Sequence, residues 1–442
     1  MSPPAAAKPK PTPFWTALFT DRRVAPALGL GFTSGIPGML VYSTQSAWLS
    51  DIGISIAAIG LLSEVTLAYR FKFLWAPVLD RYDPPLLGRL LGRRRGWIVV
   101  AQLGTVATLT GIAVGDPANA LAWTIVCSLA LGFAGATLDL VIDGWRITSV
   151  GPAEKQAVLA SWQEIGWRVG GLVAGAGTLV LADRIGWRNA YICMSALMLA
   201  GTLTVLFAPE PPSDKLSHLA RAGFVETIWA PIRDLMGRLG AAAPLILLLV
   251  AGFRMPGYVA GAMAMPLFKS LGYSNTDIAT VTKLFAFWVA LGGTVLAGWL
   301  IPRIGMVSSL LIGTVAASAS HLSLAYLAAH GGDGGAAYWT FAVTVSVEGF
   351  AYAFASVVLI TYMSTLVSAN HAASQFGLLT ALVGLPGSVL GGVSGFAIAW
   401  TGFPWFFVWT SLIGVPVALL AIYVWAKVGI SDDASPRSTA AY

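Results

Sequence analysis

The chain has 442 residues, of which 57% are apolar or aromatic and only 10% are Asp, Glu, Lys or Arg. Soluble globular proteins carry roughly 25% charged residues, so this composition excludes an ordinary soluble enzyme. Several windows of about 20 residues are almost free of charge, which is enough to cross a bilayer as a helix. The 49 glycines favour closely packed membrane helices over an outer-membrane barrel.

Residues 1–24 begin with a stretch rich in Pro, Ala and Lys without an apolar signal core, so we expect a disordered tail and no cleavable signal peptide. The apolar runs that follow predict twelve spans, called spans 1 to 12 here: 25–49, 56–79, 97–115, 119–144, 157–182, 189–208, 244–267, 276–301, 306–328, 338–365, 373–399 and 404–426. The predicted fold is all-α, with six-helix bundles at 25–208 and 244–426, a loop at 209–243 and a second tail at 427–442.

The basic residues indicate the direction of the spans. With a cytoplasmic N-terminus, eighteen of the 26 Lys and Arg fall on the inner side, three on the outer side and five within spans. This is the positive-inside pattern, and it accounts for the net charge of +6 without a nucleic-acid partner. Both termini are therefore expected in the cytoplasm.

Neither metal nor cofactor binding is predicted. The two cysteines, Cys127 and Cys193, lie in apolar runs, and the four histidines show no ligand spacing. The loops are too short for a catalytic domain, and no nucleophile with a base or phosphate-binding loop occurs in them. A membrane-embedded enzyme or receptor is therefore the weakest interpretation.

The loop between spans 6 and 7 contains an apolar stripe at helical spacing, from Phe224 to Leu239, among basic residues. Two interpretations stay open for this predicted amphipathic helix. It lies on the cytoplasmic membrane interface, or it packs beneath the bundle as a brace.

The two halves of the chain resemble each other. Residues 35–38 (GIPG) match residues 254–257 (RMPG) at an offset of 219, and Gly186-Trp187 matches Gly402-Phe403 at 216. Six plus six parallel repeats resemble the layout of major facilitator transporters. Both segments contain residues that can break a helix, namely Pro37, Gly38, Pro256 and Gly257. Helix breaks at equivalent positions of two halves indicate a midplane binding site. The alternative is that proline and glycine simply bend these membrane helices.

Charged residues within spans cost at least about 2.5 to 3.5 kcal/mol each on insertion scales, so they should face partners or a wet cleft. Glu64, Arg254 and Glu348 fall near the middle of spans 2, 7 and 10, and Lys283 lies in span 8. Glu348 has no base within four residues on its helix. We therefore expect it to carry the coupling proton and to face Arg254 or Lys283.

Two further charged pairs lie on single helical faces. Asp139 and Asp143 are four residues apart, so their mutual repulsion favours reversible protonation, although Asp143 can instead pair with Arg146. Glu164 and Arg168 have the spacing of an intrahelical salt bridge. Arg168 is a candidate for substrate binding or gating if that bridge is not purely structural.

Aromatic residues and helix ends complete the candidates. Trp162, Trp167 and Trp288 lie away from helix ends, where indole rings can pack on a sugar, or simply on neighbouring helices. Asp80, Arg81 and Arg303 lie at the inner ends of spans 2 and 8. A carboxylate there can bind helix-end and loop groups and so form a latch that breaks when the cleft opens inward.

Three segments resemble the AmpG-type muropeptide permeases: FKFLWAPVLDRYD at 71–83, GRRRGW at 92–97 and DLVIDGWR at 139–146. The resemblance is strong in the N-terminal half and loose in the C-terminal half. It implies a proton-driven importer of anhydromuropeptides in the bacterial inner membrane, with an anionic glycopeptide as substrate, and with protons and the lipid bilayer as its other partners.

The sequence departs from that family in span 7, where Arg254 is followed by Gly257 and Tyr258 without a carboxylate. The wider family includes carriers of siderophores and of acetyl-CoA. Another anionic cargo, such as a siderophore, an acyl-CoA or a peptide, is therefore the alternative.

Overall fold

A computed structural model describes residues 14–55, 59, 62, 65, 67–115, 117–211, 224–331 and 336–428 of the chain. Within these residues every regular element is helical. Nine helical stretches in the described part are long and apolar enough to cross a membrane, and one of them, 369–426, runs through both span 11 and span 12. The prediction of an all-α membrane protein is confirmed.

The helices of the N-terminal half follow the predicted spans. Span 1 is Val24–Met39, a π-helical turn Leu40–Thr44, and Gln45–Asp51; the described end of span 2 is Leu67–Phe71, Lys72–Leu74 and Ala76–Arg81. Spans 3 and 4 are Arg93–Val114 and Leu121–Ser149. Span 5 is Ala153–Leu172, a second π-helical turn Val173–Gly177, and Thr178–Ile185, and span 6 is Trp187–Thr202 and Thr204–Phe207.

The C-terminal half has the same arrangement. Span 7 is Ala243–Phe253 and Met255–Ser270; span 8 is Asn275–Ala279, a π-helical turn Thr280–Phe285, and Ala286–Ile304. Span 9 is Met306–Ala319 and His321–His330, and span 10 is Ala336–Leu366. Spans 11 and 12 lie in Ala372–Leu412, where the non-helical backbone of Gly402 separates the two helices, and span 12 continues as Gly414–Val428.

Four glycine turns show the internal repetition in the backbone. Gly92, Gly186, Gly305 and Gly402 join spans 2–3, 5–6, 8–9 and 11–12, with φ between 73° and 86° and ψ between 157° and 172°. Side chains rarely tolerate this region, so glycine is required at each turn. The same strained turn recurs every three spans, because each half repeats the same local geometry.

The loop helix, Phe224–Leu239, packs beneath both halves of the bundle. Its Thr227 accepts a hydrogen bond from Arg81 at the end of span 2. Its Arg238 donates to the Leu366 carbonyl oxygen and to Gln375 Oε1, both at 2.8 Å, at the turn between spans 10 and 11. Of the two interpretations of this helix, the structure favours the brace.

Asp234 strengthens the attachment of the loop helix. Burial by itself raises the pKa of this carboxyl, but hydrogen bonds from Gln375 (2.7 Å) and Arg238 (3.0 Å) outweigh burial and bring the pKa below its ordinary value. Asp234 therefore stays ionised near neutral pH and holds Gln375, on span 11, against the loop helix.

Candidate substrate site between the two halves

Hydrogen bonds close the bundle at the end that carries Arg93–Arg95 and the loop helix, called the basic end here. Asp80, on span 2, accepts from the backbone N–H groups of Ala373 (3.1 Å) and Ser374 (2.7 Å) and from Ser374 Oγ (2.6 Å), at the start of span 11. Arg94 forms an ion pair with the same carboxylate at 2.8 Å. Because span 11 belongs to the other half, these bonds hold the two halves together.

Two more hydrogen bonds join the halves above Asp80. Arg70 on span 2 donates to the Gly384 carbonyl oxygen on span 11 at 2.8 Å. Arg146 on span 4 donates to Ser364 Oγ on span 10 at 2.9 Å. The basic end is thus closed by charged groups that leave their own half to bind the other.

A cavity of about 560 Å³ lies between the halves directly above this closure and is called the basic-side cavity. It is lined from both halves, by spans 2, 4 and 5 on one side and spans 7, 10 and 11 on the other. Seven charged residues of the described part of the chain line it: Lys72, Asp139, Asp143, Arg146, Glu164, Arg168 and Arg254.

Six of these seven residues form ion pairs. Lys72 Nζ lies 2.9 Å from Asp139, Arg146 lies 3.3 Å from Asp143, and Arg168 lies 3.0 Å from Glu164 on the same helix. The predicted Glu164–Arg168 bridge is present, and so is the alternative pairing of Asp143 with Arg146. Asp139 and Asp143 therefore each have their own cation, which offsets the repulsion between them.

Arg254 is the seventh charged residue and differs from the others. No carboxylate lies within 4 Å of it among the described residues; its Nη1 donates to Ser356 Oγ at 3.3 Å, and its guanidinium lies 4.1 Å above the Tyr352 ring. Tyr258 stacks on it more distantly, at 5.6 Å. The aromatic faces hold the cation in place without neutralising it, so the described residues that line the basic-side cavity carry one unbalanced positive charge.

A second cavity, of about 590 Å³, lies further from the basic end and is called the far-side cavity. Its charged lining residues are Arg168, Lys283 and Glu348, and it shares Trp167, Arg168 and Tyr352 with the basic-side cavity. Glu348 forms no ion pair within 4 Å in the described part of the chain. The expected contact with Arg254 or Lys283 is therefore absent from this conformation, although Lys283 lines the same cavity.

All three π-helical turns of the described residues contribute to the wall of the far-side cavity. Ser43 and Thr44 come from the turn in span 1, Gly175 from that in span 5, and Lys283 from that in span 8. Wide π-helical turns commonly occur at functional sites, since they displace the side chains that follow. Lys283 faces this cavity from such a turn.

The helix breaks differ between the halves. In span 7 the first helix ends at Phe253, and Arg254 precedes the second helix, which begins at Met255 with Pro256 in its first turn. Gly257 packs beside Tyr352. In span 1 the helix continues through Pro37 and Gly38, and the irregularity comes only afterwards, in the π-helical turn.

Several predicted site residues lie elsewhere. Trp162 is 6% exposed and stacks on Phe14 at 5.1 Å, so its ring packs in the core instead of lining either cavity. Trp288 is 64% exposed and lines neither cavity, although it contacts Phe287, which lines the far-side cavity. The interpretation of these two rings as sugar contacts is corrected, because helical spacing alone did not tell the cleft-facing side from the others.

The described contacts of two members of the predicted latch lie on their own helix or on the loop helix. Arg303 donates to the Trp299 carbonyl oxygen and stacks on the ring of the same residue, one turn back on its own helix. Arg81 binds the loop helix. Glu64 lies outside the described residues.

Lys72 belongs to the site, although the sequence did not predict it there. Lys72 is 5% exposed and pairs with Asp139, which also accepts a hydrogen bond from Ser34 on span 1. A lysine and an aspartate within two different spans were the available signal. Trp167, one of the three tryptophans for which the sequence predicts either a sugar contact or helix packing, lies at the junction of the two cavities.

Comparison with known proteins shows to which family this architecture belongs. The family model of the Major Facilitator Superfamily matches residues 27–329, well over half of the chain. The chain belongs to the Major Facilitator Superfamily. It is a multi-pass membrane transporter and not an enzyme, in agreement with the predicted fold.

Named members of this superfamily match almost the whole chain. The anhydromuropeptide permease of Escherichia coli K12 is 30% identical over 417 residues, which cover 92% of this chain and 80% of that protein. AmpG 4 of Rickettsia conorii is 26% identical over 94% of this chain and 99% of its own length. The resemblance to AmpG-type permeases is thereby confirmed.

Solved structures of the superfamily share the fold. The proton:xylose symporter XylE, bound to 6-bromo-6-deoxy-D-glucose, superposes with a TM-score of 0.64 at 16% identity, covering 92% of this chain and 95% of its own. The human organic anion transporter MFSD10 gives 0.65 at 14% identity, with 90% and 99% covered. These identities support the common fold alone.

Proposed function

We propose that this major facilitator transporter imports anhydromuropeptides across the bacterial inner membrane together with protons, for cell-wall recycling. The observation that carries the proposal is Arg254, a cation without a carboxylate partner in the described residues, held between two tyrosines on a cavity shared by both halves. Supporting it is the 30% identity to the E. coli anhydromuropeptide permease over most of the chain.

The basic end is assigned to the cytoplasm, because loops rich in Lys and Arg remain on that side. The hydrogen bonds of Asp80, Arg70 and Arg146 then close the cytoplasmic side, and the conformation described is one that receives substrate from the periplasm. Alternating access requires these bonds to break while the far ends of the halves approach each other.

Substrate recognition uses the unbalanced charge. A muropeptide carries carboxylates, and one of them would pair with the guanidinium of Arg254. Arg168 lines the same cavity, but its charge is shared with Glu164. Lys283, exposed on the far-side cavity, adds attraction for an anion entering from that end. The tyrosines restrict the movement of Arg254, so less conformational entropy is lost on binding.

Proton coupling is assigned to Glu348. Asp139 and Asp143 each have a cation within 3.3 Å, whereas Glu348 has no ion pair within 4 Å in the described part of the chain. A carboxylate without a cation is costly to enclose when the far end closes around it, and protonation removes that cost. The carrier would therefore reorient readily only with Glu348 protonated.

The first test is uptake of a radiolabelled anhydromuropeptide into right-side-out membrane vesicles with an imposed inward pH gradient. Wild-type vesicles should accumulate it. Arg254→Gln should raise KM about 10- to 100-fold, corresponding to a lost charged hydrogen bond of about 1.5–3 kcal/mol. Arg233→Gln, on the exposed side of the loop helix, is the matched control and should transport normally.

The same vesicles test the coupling residue. Glu348→Gln should abolish accumulation driven by the pH gradient but retain exchange of labelled for unlabelled substrate, with Glu226→Gln as the control on the loop helix. Accumulation unchanged in Glu348→Gln would refute the coupling role. If a siderophore or an acyl-CoA is taken up in place of the muropeptide, the proposed substrate is wrong.

A further inference from the structure

The two cavities differ in chemistry although they adjoin. The basic-side cavity is lined by three ion pairs and Arg254, whereas the far-side cavity is walled mainly by apolar side chains, among them Met39, Leu179, Phe268 and Phe287. A carboxylate gains from a cation and loses by contact with hydrocarbon. An uncharged group with apolar faces has the opposite preference, so one elongated substrate with both kinds of group would lie in only one direction.

Glycines widen the far-side cavity. Gly171, Gly175, Gly261 and Gly349 line it on three different spans, where any other residue would project a side chain into the cavity or against its wall. At Gly261 a Cβ atom would meet no atom within 4 Å, so the space in front of this glycine is free. This part of the cavity is open to a bulky group, and a substitution at Gly261 can begin to fill it, because its Cβ atom meets no neighbour.

Trp167 marks the junction. Its side chain lines both cavities, it is 43% exposed although it lies in the middle of span 5, and it precedes Arg168, which lines both cavities as well. A flat indole face is a suitable surface for the C–H face of a pyranose ring, and large aromatic groups lose little conformational freedom on binding.

We infer that the two cavities are two subsites of one elongated binding site, with the peptide carboxylates of the substrate in the basic-side cavity at Arg254 and its sugar in the far-side cavity against Trp167. This assignment rests on the proposed function and adds an orientation to it. The peptide end then enters first, and the sugar occupies the space in front of Gly261.

The orientation follows from the position of the charges. The unbalanced cation of the basic-side cavity, Arg254, lies on the side away from the periplasm, so a peptide carboxylate must pass Trp167 to reach it. The reverse orientation would place the sugar among six paired charges and the carboxylates among apolar side chains. Among the described residues that line the far-side cavity, Lys283 would be the only lysine or arginine near them apart from Arg168, whose charge is already shared.

The experiment compares three labelled compounds in the same vesicles: an anhydromuropeptide with two sugars, one with a single anhydro sugar, and the two-sugar compound without peptide, with its free lactyl carboxyl blocked as the methyl amide so that it carries no charge. Gly261→Leu fills the far-side cavity and should lower uptake of the two-sugar muropeptide at least 10-fold, with a smaller loss for the single-sugar compound. Gly395→Leu is the matched control, since Gly395 lies on the exposed surface of span 11 with no atom near its Cβ position.

Arg254→Gln should show the complementary pattern, in which the two peptide-bearing compounds lose uptake and the peptide-free sugar does not. Trp167→Ala should lose uptake, whereas Trp167→Phe, which keeps an aromatic ring, should retain most of it. If Gly261→Leu is not found in the membrane, Gly261→Ser serves the same comparison with a smaller side chain and a smaller expected loss.

Equal losses for one and two sugars in the Gly261 variants, or an equal loss for the peptide-free sugar in Arg254→Gln, would overturn the subsite assignment while leaving the proposed function intact. If wild-type vesicles take up none of the three compounds, the proposed function fails, and the inference fails with it.

Discussion

The carboxylate of Asp80 offers the sharpest perturbation of the closed basic end. Asp80→Ala removes three hydrogen bonds to the start of span 11, from the N–H groups of Ala373 and Ser374 and from the Ser374 hydroxyl. These bonds exist only while the halves are closed there. At about 1 kcal/mol each, their loss should disfavour the closed state by about 3 kcal/mol, which lowers the closed-to-open ratio roughly 100-fold.

Cysteine labelling measures this ratio. The chain has only two cysteines, so a background with Cys127→Ala and Cys193→Ser is simple to make. Thr380→Cys then places a thiol in the basic-side cavity and Thr282→Cys one in the far-side cavity. In the Asp80→Ala background an impermeant maleimide added from the basic side should label position 380 up to about 100-fold faster, and labelling of position 282 from the other side should slow.

Asp83→Ala is the matched control. Asp83 lies three residues further along, its side chain is 71% exposed, and its ion pair with Arg93 stays within one half at 3.6 Å. Its removal should leave both labelling rates unchanged. If Asp80→Ala also labels at the wild-type rate, the hydrogen bonds seen here do not control opening, and the reasoning is refuted.

Two predictions concern stability, measured by thermal unfolding of the purified protein in detergent. Asp139→Asn should lower the free energy of unfolding by about 3–5 kcal/mol, because it leaves the buried Lys72 cation without its partner, and Lys72→Met should lower it by less, because the Asp139 side chain is 25% exposed. The double variant should lose less than Asp139→Asn alone, and a loss equal to the sum of the two single variants would contradict the pairing. Gly402→Ala should lower the free energy of unfolding by about 1–3 kcal/mol, because alanine is strained at the φ of 73° of this position. Gly395→Ala, in a regular helical segment of span 11, should be neutral or slightly stabilising. Equal effects at the two glycines would show that the turn is not strained.

Much of the architecture was determined by local sequence. Hydrophobic length fixes which segments can cross a bilayer, and glycine alone tolerates the turn at Gly186 or Gly402, so spans, turns and the internal duplication could be predicted without coordinates. The bridge between Glu164 and Arg168 was predictable as well, since residues four apart on a helix are always neighbours.

The partners between helices were decided by the tertiary structure. Periodicity shows that Trp162 and Trp167 occupy different sides of span 5, but only packing against Phe14 sends the first into the core and leaves the second at the junction of the cavities. Likewise, Lys72 meets Asp139 although 67 residues separate them, and Arg254 meets two tyrosines instead of Glu348. Which charge faces which depends on the rotation and tilt of whole helices. Those are set by the sum of many side-chain contacts, and no short stretch of sequence contains that sum.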